Sequence, residues 1–399
     1  MSFPQFLEKL LGGIAVEWKA LGSLGELIRG NGLQKKDFTE TGVPAIHYGQ
    51  IYTLYGLSTT KTKSFVSPEL ARQLRKVDKG DVVITNTSEN LEDVGKALVY
   101  LGESQAVTGG HATILKPGNC LLGKYFAYFT QTDYFAGEKR KYAKGTKVID
   151  VSATDMAKIS VPIPCPENPK KSLEIQAEIV RILDIFAELT AELTAELTAE
   201  LTARKKQYKH YRNRLLSFNE REVEWRTLGE IAASIASGRN KDRSIMGAIP
   251  VYGSTGLIGF TTDAAYSGDA LLVARVGANA GLVNAVFGDF DVSDNTLIVR
   301  PLDNWNIRFA FHQLRHMNLN QYAVGGGQPL ITGRLLKSLE VPFPELKEQE
   351  RIACILDKFE ALASSLTEGL PREIELRQKQ YAYYRDLLLS FPKPEEVEA

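Results

Sequence analysis

A chain of 399 residues, 44% hydrophobic and 24% charged, is long enough for two or three cores and has the composition of a water-soluble globular protein. Its 48 basic side chains equal its 48 acidic ones, which excludes binding of a polyanion by bulk charge and leaves only a local basic face. No apolar run reaches the length of a membrane span, and Cys120, Cys165 and Cys354 lie too far apart for a Cys-x-x-Cys zinc pair or a disulfide framework.

The opening "MSFPQFLEKLLGG" carries charge within its apolar stretch and has neither a basic leader nor a small-residue cleavage site. It is therefore not read as a signal peptide, and a cytoplasmic location is expected. From Val16 the chain is Gly-rich, with short strands expected in "DVVITN" from Asp81 and "HATILKP" from His111, and a helix in "KYFAYFTQTDYF" from Lys124. Leu173 to Phe218 contains no Pro or Gly and grades from acidic to basic, the order a helix dipole favours. Inside it Thr-Ala-Glu-Leu repeats, setting Leu189, Leu193, Leu197 and Leu201 on one slowly drifting stripe. A second Gly-rich stretch predicts strands in "DALLVARV" from Asp269 and "DNTLIVRP" from Asp294, then a helix in "IRFAFHQLRHMN" from Ile307. The last helix carries Leu362, Leu366, Leu370 and Ile374, each 173 residues beyond its counterpart, and Gly369 with Pro371 predict a kink or break there.

These elements are one unit written twice. "VEWKALGSLGELI" from Val16 returns as "VEWRTLGEIAASI" from Val223, "IVRILDIF" from Ile179 as "IACILDKF" from Ile352, and "RKKQYKHYRNRLLSF" from Arg204 as "RQKQYAYYRDLLLSF" from Arg377. The ends align without gaps, whereas the middles share only scattered positions such as "KGDVVI" from Lys79 with "SGDALLV" from Ser267. The expected class is α+β: two mixed, mostly β globules, 1–165 and 223–345, joined by helices at 166–222 and 346–399 packed as an antiparallel coiled coil.

Catalytic patterns are missing. There is no Gly-x-x-x-x-Gly-Lys-Ser/Thr phosphate loop and no Asn-Pro-Pro-aromatic tetrapeptide of amino methyltransferases, and "GGGQP" from Gly325 reads as a tight turn. Of five histidines only His312 and His316 have helical spacing, with no Asp, Glu or Cys beside them in sequence, so no metal site is expected.

Two variable globules between constant helices, with "VEW…LG" opening and "KQY..YR..LLSF" closing each unit, resemble the specificity subunit of type I restriction-modification enzymes, in the branch with Thr-Ala-Glu-Leu spacer repeats. The resemblance covers essentially the whole chain. It extends to the start, where "LEKLLGGIAVEW" from Leu7 resembles "RNRLLSFNEREVEW" from Arg212, as though a circle had been cut before a repeat unit. It implies that each globule is a target-recognition domain reading one half of a bipartite, asymmetric site in double-stranded DNA. It further implies two methyltransferase subunits that use S-adenosylmethionine for adenine-N6 methylation, and two motor-nuclease subunits that use ATP and Mg. The chain itself is then non-catalytic, with no cofactor or metal of its own.

Under that resemblance the DNA contacts are expected on glycine-flanked loops. In the first globule these are Arg29, Asn31, Lys35, Lys36, Lys61 and Lys63, with Tyr48, Tyr52 and Tyr55 nearby; in the second they are Arg239, Asn240, Lys241, Arg243, Ser254, Thr255, Arg275 and Asn279. Lys205, Lys206, Arg212 and Arg214, with their counterparts Arg377, Lys379 and Arg385, are expected to pair with carboxylates of the partner helix in preference to phosphates, and the apolar faces of "FLEKLL" and "YRNRLLSF" are candidates for docking methyltransferases. The repeat is read as a ruler: four residues advance a helix by about 6 Å and about 40°, against about 3.4 Å and roughly 35° per DNA base pair. The competing expectation is a coiled-coil scaffold for protein partners that reads no DNA.

Overall fold

The computed structural model describes residues 14–219, 223–239, 247–325, 327–364 and 369–391. The chain forms two compact units, one of Met1–Leu193 with Leu376–Ala399 and the other of Thr194–Glu375.

The first unit holds a five-stranded sheet of β1 (Gly25–Arg29), β2 (Ser58–Thr59), β3 (Val82–Thr85), β4 (Ala97–Tyr100) and β5 (Ala112–Pro117), in the order β1-β5-β3-β4-β2. The second holds β6 (Ala232–Ser237), β7 (Ala270–Ala274), β8 (Val283–Val286) and β9 (Thr296–Pro301), in the order β6-β9-β7-β8. Removing the edge strand β2 makes the two orders identical. Each unit has a second, four-stranded sheet whose inner pair is parallel, Val43–Ile46 with Ala106–Thr108 and Ile249–Gly253 with Asp289–Val292. A two-stranded ribbon also recurs, Val16–Ala20 against Ser160–Pro164 and Glu224–Thr227 against Glu340–Phe343. The middles that differ in sequence thus share one topology, and the strands expected at "DVVITN", "HATILKP", "DALLVARV" and "DNTLIVRP" are β3, β5, β7 and β9.

Helices cover the sheets. α1 (Gly123–Phe129) is followed by Asp133–Tyr142, so the single helix expected at "KYFAYFTQTDYF" is two, the second opened by the Thr132 hydroxyl accepting from the Phe135 N–H. α2 (Pro169–Leu216) is one uninterrupted 48-residue helix, and α3 (Ile307–His316) covers the second unit. α4 (Leu346–Ser364) and α5 (Leu370–Leu389) are separate helices, with Gly369 at φ +88 immediately before α5, where the sequence predicts the break. The chain passes into the second unit along α2 and re-enters the first within α5, the antiparallel order expected of the two arms.

The arms are rooted in the cores. Ile179 and Leu183 of α2 are fully buried among Phe126, Phe129 and Phe135 of the first unit, and Ile352 and Leu356 of α4 among Trp305, Phe309 and Leu314 of the second. A fully buried side chain of this size contributes about 1.5–3 kcal/mol. Leu388, Leu389 and Phe391 join the first core, and Leu216 the second. Of the apolar side chains of "YRNRLLSF", Leu216 is thus buried and Tyr211, Leu215 and Phe218 stay half-buried; "FLEKLL" lies outside the described residues.

Candidate nucleic-acid interface

In both units a one-turn helix, Leu21–Leu24 or Leu228–Ile231, feeds the first strand of the main sheet, and the candidate loop follows that strand. The loops are held by glycines where backbones meet. A Cβ on Gly30 would lie 2.2 Å from the Gly109 carbonyl oxygen, and one on Gly238 would lie 2.4 Å from the carbonyl oxygens of Val292 and Ser293.

In the first unit Arg29 ends β1, half-exposed. Its Nε donates to the Gly110 carbonyl at 3.1 Å, and its guanidinium lies 3.5 Å from the Asp150 carboxylate. Asn31 is already committed, because its amide donates to the Gln73 carbonyl (2.8 Å) and accepts from the Arg75 N–H (3.0 Å). That cross-loop staple ties the loop to the run 73–75. Lys35 and Lys36 are exposed on a single 3-10 turn, Lys35–Asp37, capped by Asp37 accepting from the Gln34 N–H at 2.8 Å.

A ladder of rings belongs to the same unit: Phe38 on His47 (5.7 Å), His47 on Tyr48 (4.5 Å), Tyr48 on His111 (4.8 Å) and on Tyr52 (6.2 Å). His47 Nδ1 accepts from the Gly49 N–H and His111 Nδ1 meets the Thr87 hydroxyl at 2.7 Å. Burial, with the nearby Lys35 ammonium and His111 imidazole, holds the His47 pKa below the usual histidine value. Sequence reasoning weighed the histidines only as metal ligands and missed this ladder, since the stacking partners Tyr48 and His111, 63 residues apart, leave no local spacing signal. Lys61 and Lys63 expose their side chains on a separate loop, anchored where the Tyr55 hydroxyl accepts from the Lys63 N–H (2.7 Å).

In the second unit Arg239 is exposed directly after Gly238, its N–H donating to the Val292 carbonyl. Ser254 and Thr255 tip the hairpin Ile249–Gly253/Gly256–Thr261, where Gly256 takes φ +95. Arg275 is a brace, its guanidinium donating to the Ser237 hydroxyl (3.0 Å) and the Asp294 carbonyl (3.3 Å). It therefore fixes the loop that presents Arg239. Asn279 is exposed in a turn closed by the Leu282 N–H on its carbonyl. Asn240, Lys241 and Arg243 lie outside the described residues. Arg239, Arg275 and the Ser254 hairpin meet around 292–295, the run entering β9; Arg29 and His111 meet at the run entering β5, its topological equivalent.

His312 proves to have acidic neighbours that sequence proximity hid. Its Nε2 lies 2.7 Å from Asp357, and Asp357 and Glu360 of α4 complete a cluster of metal-capable groups. Arg308 pairs with both carboxylates and Arg315 with Glu360, so the cluster is a charge-balanced network.

Along α2, Leu193, Leu197 and Leu201 are half-buried but Leu189 is 56% exposed. A four-residue repeat rotates about 40° per step, so its first leucine has turned off the seam. Leu370 and Ile374 are half-buried; Leu366 and the Leu362 side chain lie outside the described residues. Two of the repeat threonines bond back along the helix, Thr198 donating to the Thr194 carbonyl and Thr202 to that of Thr198, while the Thr194 hydroxyl is buried without a partner among the described residues. Arg204 pairs with Glu200 one turn earlier and Arg385 with the adjacent Asp386, each within its own helix.

A sequence profile described as a type I restriction modification DNA specificity domain matches residues 15–203 and 220–376. The chain is 35% identical to the specificity subunit of the type I restriction enzyme EcoR124I/EcoR124II of Escherichia coli, over all of both chains. It is 37% identical to that of EcoprrI, also from Escherichia coli, over 92% of this chain and 93% of the other. Among solved structures it resembles a chain from a type I R-M system studied for complex assembly and conformational transition, at TM-score 0.66 and 16% identity over 94% of this chain and 97% of that one. It also resembles the HsdS subunit from Thermoanaerobacter tengcongensis, at TM-score 0.53 and 16% identity over 94% and 95%.

Proposed function

Because the chain belongs to the type I restriction-modification DNA specificity family, we propose that its two globules each read one half of a bipartite, asymmetric duplex site for partner subunits that methylate and cut. The observation that carries this reading is one topology built twice with different loops at the same rim, as two readers of different half-sites require. Exposed cations on those rims, Arg29, Lys35 and Lys36 in one unit and Arg239 in the other, supply phosphate contacts that a chain of zero net charge can offer only locally. The ring ladder from Phe38 to Tyr52 offers apolar faces beside them.

In this reading two methyltransferase subunits bring S-adenosylmethionine and two motor-nuclease subunits bring ATP and Mg, while this chain supplies recognition and carries out no chemistry. The Thr-Ala-Glu-Leu repeat acts as the ruler between half-sites, because it lengthens a helix that is unbroken from the first unit into the second. The test is long-read detection of N6-methyladenine in an unmethylated host that co-expresses this chain with its neighbouring methyltransferase. A new bipartite motif with a fixed gap is expected; no new methylation from an assembled complex overturns the reading and favours the scaffold.

A further inference from the structure

Each globule is fastened to its arm by the same four-point socket, although the bonded residues differ. In the first unit Gln176 of α2, fully buried, accepts from the Leu122 N–H (2.8 Å) and donates to the Cys120 carbonyl (2.8 Å), gripping the entry to α1. In the second unit Gln349 of α4, also fully buried, accepts from the Asn306 N–H (2.8 Å) and donates to the Asn304 carbonyl (3.1 Å), gripping the entry to α3. Two turns further along each arm stands an aspartate. Asp184 accepts from Lys124 Nζ (2.8 Å) and the Tyr128 hydroxyl (2.7 Å). Asp357 takes Arg308, at 2.6 and 3.0 Å, and His312 Nε2 at 2.7 Å. On the arms the second glutamine and aspartate each lie 173 residues beyond the first; on the globules every partner lies 184 residues beyond its counterpart.

Two contacts eight residues apart on one helix, meeting one turn and the preceding loop of another, restrain both the translation and the rotation of the globule about its arm. The hydrophobic contacts of Ile179 and Ile352 hold the surfaces together but tolerate rotation far better than directed hydrogen bonds do. We propose that Asp184 and Asp357, together with Gln176 and Gln349, are positioning residues that fix the angle of each globule on its arm and thereby restrict the gap between half-sites that the protein accepts. This rests on the reading of the chain as a bipartite DNA reader.

The experiment is the methylation assay on the complete complex with Asp184→Ala, Asp357→Ala and the conservative Asp184→Asn and Asp357→Asn, scoring adenine methylation at the native gap and at gaps one base pair shorter and longer. Tyr128→Phe, which removes the hydroxyl's bonds to Asp184 and Tyr381 and no volume of consequence, keeps the test open should an Ala variant not accumulate. The half-sites read should be unchanged, while the share of methylation at off-length gaps rises about tenfold in the Ala variants and less in the Asn and Phe variants. Methylation confined to the native gap in all variants, merely scaled to the amount of complex, overturns the inference and leaves the sockets as fold stabilisers. A wild-type complex that methylates no bipartite site instead fails the underlying reading.

Discussion

At the scale of single residues, a polar side chain's role is decided by partners remote in sequence. Asn31 and Arg275 look like DNA contacts beside glycines, yet the Asn31 amide bonds to Gln73 and Arg75, and one guanidinium nitrogen of Arg275 to Ser237 and Asp294. Lys36 and Arg239, equally ordinary in sequence, remain exposed. His312 shows the same dependence with a measurable consequence. Burial keeps its pKa below the usual 6.5 despite the carboxylates of Asp357 and Glu360, while Asp357 is held below 3.8 by the Arg308 and His312 hydrogen bonds against the opposing effect of burial. The folded state thus binds fewer protons than the unfolded one at both groups. Stability is complete above about pH 6.5 and falls as acid protonates first the histidine and then the aspartate. His47 and His316, also lowered by burial, add to the slope. Thermal melts between about pH 8 and about pH 5 should show Tm declining with acid, and less steeply in His312→Asn; an unchanged slope would contradict the burial argument.

At the scale of elements, the helices were legible because their period and their repetition reinforce each other, and the buried strands because "DVVITN" and "LIVRP" are short, β-branched and bounded by turns. The common sheet order was not legible: apolar strands are interchangeable in sequence, and order is chosen by loops that carry no shared pattern. Two elements invite direct tests. Gly30→Ala and Gly238→Ala drive a Cβ into carbonyl oxygens, so each should cost roughly 2 kcal/mol or more and lower Tm, whereas Gly137→Ala, with open space around it, should not. Deleting Thr190–Leu193 shortens α2 by one repeat and should move the methylated motif to a gap about one base pair shorter with both half-sites unchanged. An altered half-site, or an unaltered gap, would remove the ruler.

At the scale of the whole molecule, zero net charge makes the reading strict: duplex affinity must come from a few rim cations, so its salt dependence is countable. Binding of the assembled complex to its site, followed by fluorescence anisotropy across salt, should lose about two units of the logarithmic slope in the Lys35→Ala, Lys36→Ala double variant, near 0.9 per phosphate contact. A slope equal to wild type would place those lysines away from DNA. The two ribbons that close the globules, Val16–Ala20 with Ser160–Pro164 and Glu224–Thr227 with Glu340–Phe343, carry one further implication. Because the ribbon sets the entry and exit of each globule side by side, everything between behaves as a cassette inserted at one point of the scaffold. Two genetic crossovers, one in each short strand, would exchange an entire reader and leave the arms and the opposite globule untouched. New specificity can then be inherited in a single recombination, with no intermediate that must refold its frame.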